Sequence, residues 1–294
     1  MNYKLTRIAP TPSGFLHLGN VFSFLLTKAL AEKAGAKILL RIDDLDRERF
    51  RMEYLVDIFE TLDFLEIPYH LGPKNPEDFL VNWTQLNRMD LYNKALDKLW
   101  ERNLLFSCTC SRKKISQMDS SGYYLGHCLD RNIPKNRKEA AWRINTLQEE
   151  LISIRDLKGN KTETILAENV AFFTVRKKDG MPSYQLSSLI DDLEFGVDMI
   201  VRGKDLYTSS LAQIFLAHSI GNQNFEKIGF HHHPLLKSEE GKKLSKSEGA
   251  TSIRFWRENG KNLSEMFTMI GKLIGSPDPI ESYEDFKKVV LSTI

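Results

Sequence analysis

The chain has 294 residues, a length that suits about two domains of average size. Hydrophobic residues make up 41% of the sequence and charged residues 27%, a balance that excludes a disordered, collagen-like or coiled-coil chain. With 41 basic and 39 acidic residues the net charge is only +2, so nucleic-acid binding would have to come from a local basic patch.

Hydropathy and cysteine content indicate the cellular compartment in which the protein is expected. No run reaches the ~18 apolar residues that a membrane span needs, and residues 1–7 lack the apolar stretch of a secretory signal. The three cysteines all lie between Cys108 and Cys128, and an odd, clustered set is typical of metal ligands rather than of disulfides. We therefore expect a cytoplasmic protein with no membrane partner.

The amino-terminal part predicts the opening of a parallel α/β sheet. A strand is predicted over residues 4–8, a proline-rich loop over 9–14, a helix over 21–33 and a second strand over 37–42. A strand–loop–helix–strand unit of this kind opens a doubly wound sheet.

Further helices and strands are predicted along the chain. In the middle of the chain the pattern changes to short β-like stretches that alternate with charged loops. Helices are predicted at 47–65, 86–103 and 209–220, and short strands at 141–144, 164–166, 171–175 and 199–202. The run His231-His232-His233 predicts a buried strand that anchors a loop rather than a metal site.

The predicted fold is therefore α/β, a doubly wound parallel sheet of Rossmann type that carries an insertion. Its predicted parts are the first half of the sheet domain at 1–82, an inserted subdomain at 83–182, the second half at 183–225, and a loop with a short, mostly helical segment at 226–294.

The first candidate site is residues 12–20, PSGFLHLGN, between the first strand and the first helix. A helix N-terminus offers unpaired N–H groups and a partial positive charge, which suit a polyphosphate. Gly19 would let a nucleotide approach the backbone, and His17 could donate a hydrogen bond to a phosphate oxygen. The alternative is a proline-rich turn with a helix cap and a packed histidine.

The second candidate site is residues 241–249, GKKLSKSEG, in which glycines bracket three lysines. Lysines such as Lys243 and Lys246 on a mobile loop can close over a triphosphate and stabilise departing pyrophosphate. The alternative is an ordinary solvated basic loop.

The third candidate site is a zinc site formed by Cys108, Cys110 and Cys128. Three thiolates with one further ligand make a tetrahedral zinc centre, and the spacing leaves Tyr124 and His127 as candidates for the fourth position. The alternative is three reduced, partly buried thiols.

The first two motifs, in this order, resemble signatures of class I aminoacyl-tRNA synthetases. HLGN resembles their HIGH motif and KLSKS resembles their KMSKS loop. Residues 7–14 (RIAPTPSG), 41–46 (RIDDLD) and 201–206 (VRGKDL) are similar to the glutamyl and glutaminyl branch, and the resemblance covers about residues 5–255.

Within that branch the chain resembles the short glutamyl-queuosine tRNA(Asp) synthetase family. Only 47 residues follow Ser247, fewer than the anticodon-reading region of a glutamyl-tRNA synthetase needs. The family's Cys-x-Cys…Tyr-x3-Cys pattern is matched by Cys108, Cys110, Tyr124 and Cys128, which favours Tyr124 over His127. The resemblance implies one structural Zn²⁺ per chain in an inserted acceptor-binding subdomain, and a monomer.

This resemblance implies a two-step reaction. L-glutamate and ATP, with Mg²⁺, give glutamyl-adenylate, and the glutamyl group then passes to the queuosine base of tRNA(Asp). His17 and Lys246 would be catalytic, with Gly19, Asn20 and Lys243 also binding ATP. The expected glutamate-binding residues are Arg7, Ala9, Thr11, Ser13, Asp43, Tyr184 and Arg202.

Some of these assignments depart from the family pattern. Asp43 stands where the family has glutamate, so a water could mediate its contact with the substrate ammonium. Ser188 stands where glutamyl-tRNA synthetases often have asparagine. Asp44 and Asp46 are interpreted as helix caps or salt-bridge partners rather than Mg²⁺ ligands.

Two other functions stay open at this level. Residues 249–253, GATSI, are more similar to ordinary glutamate–tRNA ligases, so the chain could be a ligase core that charges the tRNA 3′ end. A catalytically inactive, tRNA-binding paralogue is the second alternative, against which the intact His17, Gly19 and Lys246 speak.

Overall fold

The computed structural model of the chain describes residues 2–147, 151–236 and 252–294. Its strands are β1 (Leu5–Ile8), β2 (Lys37–Leu40), β3 (Leu105–Cys108), β4 (Ala141–Ile144), β5 (Ile152–Asp156), β6 (Lys161–Thr164), β7 (Thr174–Arg176), β8 (Met199–Gly203) and β9 (Gly229–His233). Its helices are α1 (Leu18–Ala34), α2 (Met52–Phe64), α3 (Pro76–Asp78), α4 (Met89–Glu101), α5 (Arg112–Met118), α6 (Tyr184–Glu194), α7 (Tyr207–Ser219), α8 (Ile253–Glu258), α9 (Leu263–Leu273) and α10 (Tyr283–Ser292). Over these described ranges, no helix combines the length and apolar character needed to cross a membrane.

The chain packs into two compact units. The first unit comprises Met1–Asn87, Asp198–Lys204 and His231–Ile294, and the second comprises Arg88–Val197 and Asp205–Phe230. The division of the sequence into four segments, at 1–82, 83–182, 183–225 and 226–294, stays a prediction, since these two units do not test it.

The first unit contains the predicted parallel sheet. β1 pairs in parallel with β2 from Leu5 opposite Lys37 to Ile8 opposite Leu40, and with β8 on its other side. α1 makes the crossover from β1 to β2, as in a doubly wound fold. The predicted strand–loop–helix–strand opening is therefore confirmed.

Helix α1 begins at Leu18, three residues before the predicted start, because the side chain of His17 caps its first turn. It ends at Gly35, whose φ of 68° is a left-handed conformation that glycine adopts without steric cost. Most of its apolar side chains are buried, and α10 packs against it through an edge-to-face contact of Phe22 with Phe286.

The second unit has a different architecture, as the change in sequence texture predicts. β3, β4 and β7 form an antiparallel sheet, and β5 and β6 form an antiparallel hairpin whose first strand pairs in parallel with Gly229 and Phe230 of β9. The predicted strand at 171–175 instead lies at β7, because Phe172 adopts a positive φ of 48° that interrupts an extended segment.

A buried ion pair joins two helices of the second unit. Arg88, at the start of α4, donates from Nε and Nη2 to the carboxylate of Asp191 on α6 at 2.8 and 3.1 Å, and the Tyr92 hydroxyl donates to it at 2.6 Å. Asp191 is fully buried, so these three hydrogen bonds compensate its loss of water.

Candidate functional site

A pocket of about 330 Å³ lies where β1 turns into α1 in the first unit. Ligands in open α/β sheets bind at the carboxyl ends of the strands, which is where this pocket lies. Its lining residues are Ala9, Pro10, Thr11, Ser13, Gly14, Phe15, Leu16, Asn20, Phe24 and Arg49. The pocket therefore brings together four predicted site residues, namely Ala9, Thr11, Ser13 and Asn20.

His17 occupies the N-cap of α1 and exchanges hydrogen bonds with the first turn. Its Nδ1 accepts from the N–H of Gly19 at 3.1 Å and of Asn20 at 3.4 Å, while the Asn20 side chain accepts from the His17 N–H at 3.1 Å. Because Nδ1 accepts, the proton of a neutral imidazole is on Nε2, which makes that atom a donor. The helix-cap interpretation is thus correct for Nδ1, and the donor role predicted for His17 falls to Nε2.

Gly19 has a steric reason to be glycine. A Cβ placed there would lie 3.0 Å from Cε1 and 3.1 Å from Nδ1 of the His17 ring. A larger side chain would therefore push the imidazole away from the two N–H groups it accepts from.

The second motif, including Lys243 and Lys246, lies outside the described residues, but the chain immediately after it is described. Ser252 forms an antiparallel bridge with His17, and the N–H of Ile253 donates to the carbonyl of Leu16 at 2.9 Å. The segment that follows the second motif therefore returns to the histidine of the first.

Two arginines are buried on neighbouring strands of the first unit. Arg7 on β1 is 5% exposed and Arg202 on β8 is 3% exposed. His232 on β9 lies close enough to feel both charges: burial first, then Arg202, and to a smaller extent Arg7 and the flanking histidines, lower its pKa to about 3. His232 is therefore neutral at physiological pH.

Sequence analysis did not assign His232 to the site. The run of three histidines predicts the buried strand, which β9 confirms, but it carries no signal that one member lies beside Arg7 and Arg202. That proximity arises only because β8 and β9 are neighbours in the sheet.

Asp43 follows β2 and is held by its neighbour Arg41. Nε and Nη2 of Arg41 donate to the two carboxylate oxygens at 2.8 and 3.1 Å, and both side chains are buried. The backbone N–H of Asp43 also donates to the carbonyl of Pro10 at 2.9 Å, which ties Asp43 to the loop that lines the pocket.

Asp44 and Asp46 have the structural roles that the sequence predicts. The buried carboxylate of Asp44 accepts hydrogen bonds from Thr84 Oγ1 at 2.7 Å and from the Gln85 N–H at 2.9 Å. Asp46 forms an exposed ion pair with Arg49.

Tyr184 and Ser188 lie in the second unit, on α6. Tyr184 is the first residue of the helix and is 43% exposed, whereas Ser188, one turn later, is fully buried. Their roles in substrate binding stay predictions.

The three cysteine sulfurs converge in the second unit. The Sγ atoms of Cys108, Cys110 and Cys128 lie within 4.8 Å of one another, with 3.6 Å between Cys110 and Cys128. Tetrahedral zinc with Zn–S bonds of about 2.3 Å places its sulfurs about 3.8 Å apart, so the cluster fits that ion. Although burial opposes ionisation, hydrogen bonds from Tyr124 and the Cys110 N–H, and the charge of Arg143, lower the pKa of the Cys108 thiol.

The surroundings favour Tyr124 over His127 as the fourth ligand. The Tyr124 hydroxyl accepts from the Cys128 N–H at 2.9 Å and is hydrogen-bonded to Cys108, so it faces the sulfurs. Among the His, Cys, Asp and Glu side chains that the structure describes, the ligand atoms that converge here are the three sulfurs, and neither nitrogen of His127 joins them. The Arg143 guanidinium lies 3.8 Å from the centre of the Tyr124 ring and would offset negative charge at the site.

Comparison with known proteins identifies the class. The family described as "tRNA synthetases class I (E and Q), catalytic domain" matches residues 5–288. The chain therefore belongs to this family and is a ligase of the class I aminoacyl-tRNA synthetase type, which confirms the predicted fold and enzyme class.

Two curated relatives each match more than nine-tenths of this chain. Glutamyl-Q tRNA(Asp) synthetase of Rhodobacter capsulatus is 30% identical over 289 residues, which are 91% of this chain and 99% of that protein. Glutamate–tRNA ligase 1 of Ruegeria pomeroyi is 30% identical over 303 residues, and the match covers 99% of this chain but 65% of the ligase.

A solved structure shares the fold. The glutamate tRNA ligase of Elizabethkingia meningosepticum, solved in complex with its amino acid, superposes with a TM-score of 0.73 at 22% identity. The superposition covers 98% of this chain and 64% of the ligase.

Zinc retention tests the ligand set. Tyr124→Phe removes the hydroxyl that faces the sulfurs and should speed zinc release to a chromophoric chelator at least ~10-fold, because the effect of a lost ligand or its support on metal affinity is of this size or larger. His127→Gln is the matched control and should release zinc at the wild-type rate. Faster release from His127→Gln than from Tyr124→Phe, measured together with zinc content per chain, would contradict the assignment.

Proposed function

We propose that this chain activates L-glutamate with ATP and transfers the glutamyl group to the queuosine base of tRNA(Asp). The observation that carries the proposal is the combination, within one unit, of two buried arginines with a helix N-terminus capped by histidine. The first feature suits a carboxylate substrate and the second a polyphosphate.

Glutamate offers two carboxylates and one ammonium. The guanidinium groups of Arg7 and Arg202 can bind a carboxylate through two parallel hydrogen bonds and would disfavour the neutral amide of glutamine. His232, being neutral, adds no competing charge and can donate one hydrogen bond. Asp43, oriented by Arg41, would face the ammonium, and Ala9, Thr11 and Ser13 would complete this part of the binding site.

ATP would lie at the N-terminus of α1. The Nε2–H of His17 would donate to a phosphate oxygen, and Gly19 and Asn20 would border the nucleotide. Lys246 lies six positions before Ser252, so their Cα atoms are at most about 22 Å apart. Because Ser252 pairs with His17, this bound supports the proposal that Lys246, together with Lys243, acts on the same triphosphate.

The reaction itself depends on positioning and charge stabilisation. A carboxylate oxygen of glutamate attacks the α-phosphorus of ATP, the bond to the bridging oxygen breaks, and pyrophosphate leaves with the negative charge that Lys246 and His17 would stabilise. Mg²⁺ is expected to accompany ATP. The attack needs no general base, because the nucleophile is already ionised.

The match to the glutamyl-Q tRNA(Asp) synthetase of Rhodobacter capsulatus, which covers 99% of that protein, supports queuosine as the acceptor. Charging of the tRNA 3′ end remains the second candidate, since glutamate–tRNA ligases match at the same level of identity over most of this chain. Both candidates share the adenylation step.

A basic cleft of about 500 Å³ in the second unit offers a tRNA contact. Its lining residues are Lys135, Asn136, Arg137, Lys138, Glu139, Ala140, Trp142, Arg176, Lys178, Asp179 and Gly180. The Arg176 guanidinium lies 4.4 Å from the centre of the Trp142 ring, so cations surround a half-buried aromatic side chain. Phosphates and unstacked bases are bound by this combination of groups.

The cleft also contacts the cysteine segment. Nζ of Lys178 donates to the carbonyl of Thr109, the residue between Cys108 and Cys110, at 2.9 Å. Zinc bound by the cysteines would therefore hold one wall of the cleft in place.

Pyrophosphate exchange tests the adenylation step. Lys246→Ala should lower the rate of glutamate-dependent exchange at least ~100-fold, while glutamate binding weakens less than ~3-fold, because the ammonium acts on charge that develops in the transition state. Lys288→Ala, which removes an exposed charge of α10, should match the wild type. Equal losses of rate and of glutamate affinity would argue against the role of Lys246.

The acceptor is tested with purified tRNA(Asp) that contains or lacks queuosine. The proposal predicts transfer of glutamate from the adenylate only to the queuosine-containing tRNA, with the label retained after the 3′ ribose is oxidised. Transfer to unmodified tRNA(Glu), lost on oxidation of its 3′ ribose, would establish the ligase alternative.

The cleft is tested by charge reversal. Arg137→Glu and Lys138→Glu should raise the KM for tRNA at least ~10-fold and reduce the salt dependence of tRNA binding, with pyrophosphate exchange unchanged. Lys158→Glu, an exposed charge in the β5–β6 turn, is the matched control. An unchanged KM in both cleft variants would remove the cleft from the tRNA-binding surface.

A further inference from the structure

One buried carboxylate outside the pocket contacts both the loop before His17 and helix α8, which follows the second motif. Asp57 on α2 is 2% exposed, and its Oδ2 accepts from the backbone N–H of Leu16 at 3.1 Å. Its Oδ1 accepts from Nη2 of Arg257 on α8 at 2.5 Å. Leu16 immediately precedes His17, and α8 immediately follows Ser252.

Further contacts join the same three segments. The Arg254 guanidinium of α8 lies 4.7 Å from the centre of the Phe15 ring, and Phe15 makes an edge-to-face contact with Tyr54 of α2. Arg254 also pairs with Glu53 at 3.7 Å. Glu53, Tyr54 and Asp57 recur at helical spacing, so one face of α2 receives both the loop before His17 and α8.

Among the side chains that make these contacts, Asp57 is the one whose carboxylate is too deeply buried for water to replace a lost partner. Burial raises its pKa, and the hydrogen bond from Leu16 and the charge of Arg257 oppose that rise. Loss of either partner would leave a buried polar group without its compensation. Glu60, which pairs with Nη1 of Arg257 at 2.5 Å, is by contrast half exposed and can be hydrated.

We propose that Asp57 and Arg257 are positioning residues that hold the loop before His17 in register with the helix after the second motif. Neither side chain lines the pocket, so they act through Leu16 and α8 rather than on ATP. The consequence is that His17 keeps a fixed relation to Ser252, the first residue described after the second motif, as contact of one triphosphate with both motifs requires. This inference rests on the proposed adenylation activity for its kinetic readout only.

The kinetic test uses the full chain and separates kcat from KM. Asp57→Asn keeps the size of the side chain, but its amide cannot accept from both Leu16 and Arg257. In glutamate-dependent pyrophosphate exchange we expect kcat to fall at least ~10-fold and the KM for ATP to rise, with the KM for glutamate within twofold of the wild type. Arg257→Lys should recover part of the loss seen in Arg257→Gln, and Glu60→Gln should stay within twofold of the wild type in every parameter.

A second readout does not depend on activity. Amide hydrogen exchange of residues 15–18 should accelerate in Arg257→Gln, because Arg257 supports this segment through Asp57, and should stay unchanged in Glu60→Gln. Unchanged exchange at residues 15–18 in Arg257→Gln overturns the proposal, as do wild-type kcat and KM for ATP in Asp57→Asn. If the wild-type chain shows no pyrophosphate exchange, the proposed function fails, and the hydrogen-exchange comparison still decides the role of Asp57 and Arg257.

Discussion

The rest of the candidate site depends on one constraint, the position of the His17 ring, which is hydrogen-bonded to the first turn of α1. The Nδ1 atom of the ring accepts hydrogen bonds from two backbone N–H groups, and a Cβ at position 19 would lie within 3.1 Å of the ring and crowd it. The same geometry starts the helix and makes Nε2 a donor. One side chain can therefore be both the helix cap and the proposed catalytic group, so the structural and functional interpretations of HLGN are compatible.

The two units divide the proposed work. The first unit contains the parallel sheet, the buried arginines and the pocket after β1, all of which suit binding and activation of small anionic substrates. The second unit contains the cysteine cluster and the basic cleft, which suit a folded nucleic acid. This division matches the two chemical steps of the proposed function, namely formation of the adenylate and transfer of the glutamyl group to the acceptor.

Features that depend on neighbouring residues could be predicted from the sequence. The start of the sheet, the cap at His17, the convergence of the three cysteines and the ion pair of Asp46 with Arg49 all arise from short spacings. Resemblance to family motifs also predicts Arg7 and Arg202 as glutamate-binding residues, and the structure buries both on neighbouring strands.

Features that depend on distant residues could not be predicted in this way. His232 joins Arg7 and Arg202 only because β9 lies next to β8 in the sheet, and Asp57 meets Arg257 across 200 positions of the chain. No local pattern encodes either contact. The positive φ of Phe172, which displaces a predicted strand, is likewise set by packing around the cysteine cluster rather than by propensity.

A crystal structure with a non-hydrolysable ATP analogue tests the central claim most directly, namely that one triphosphate contacts both motifs. The account predicts His17 Nε2 within hydrogen-bonding distance, about 3.2 Å, of a phosphate oxygen, with Lys246 Nζ on the same triphosphate. A bound analogue whose phosphates lie away from the N-terminus of α1, or beyond the reach of Lys246, would contradict it.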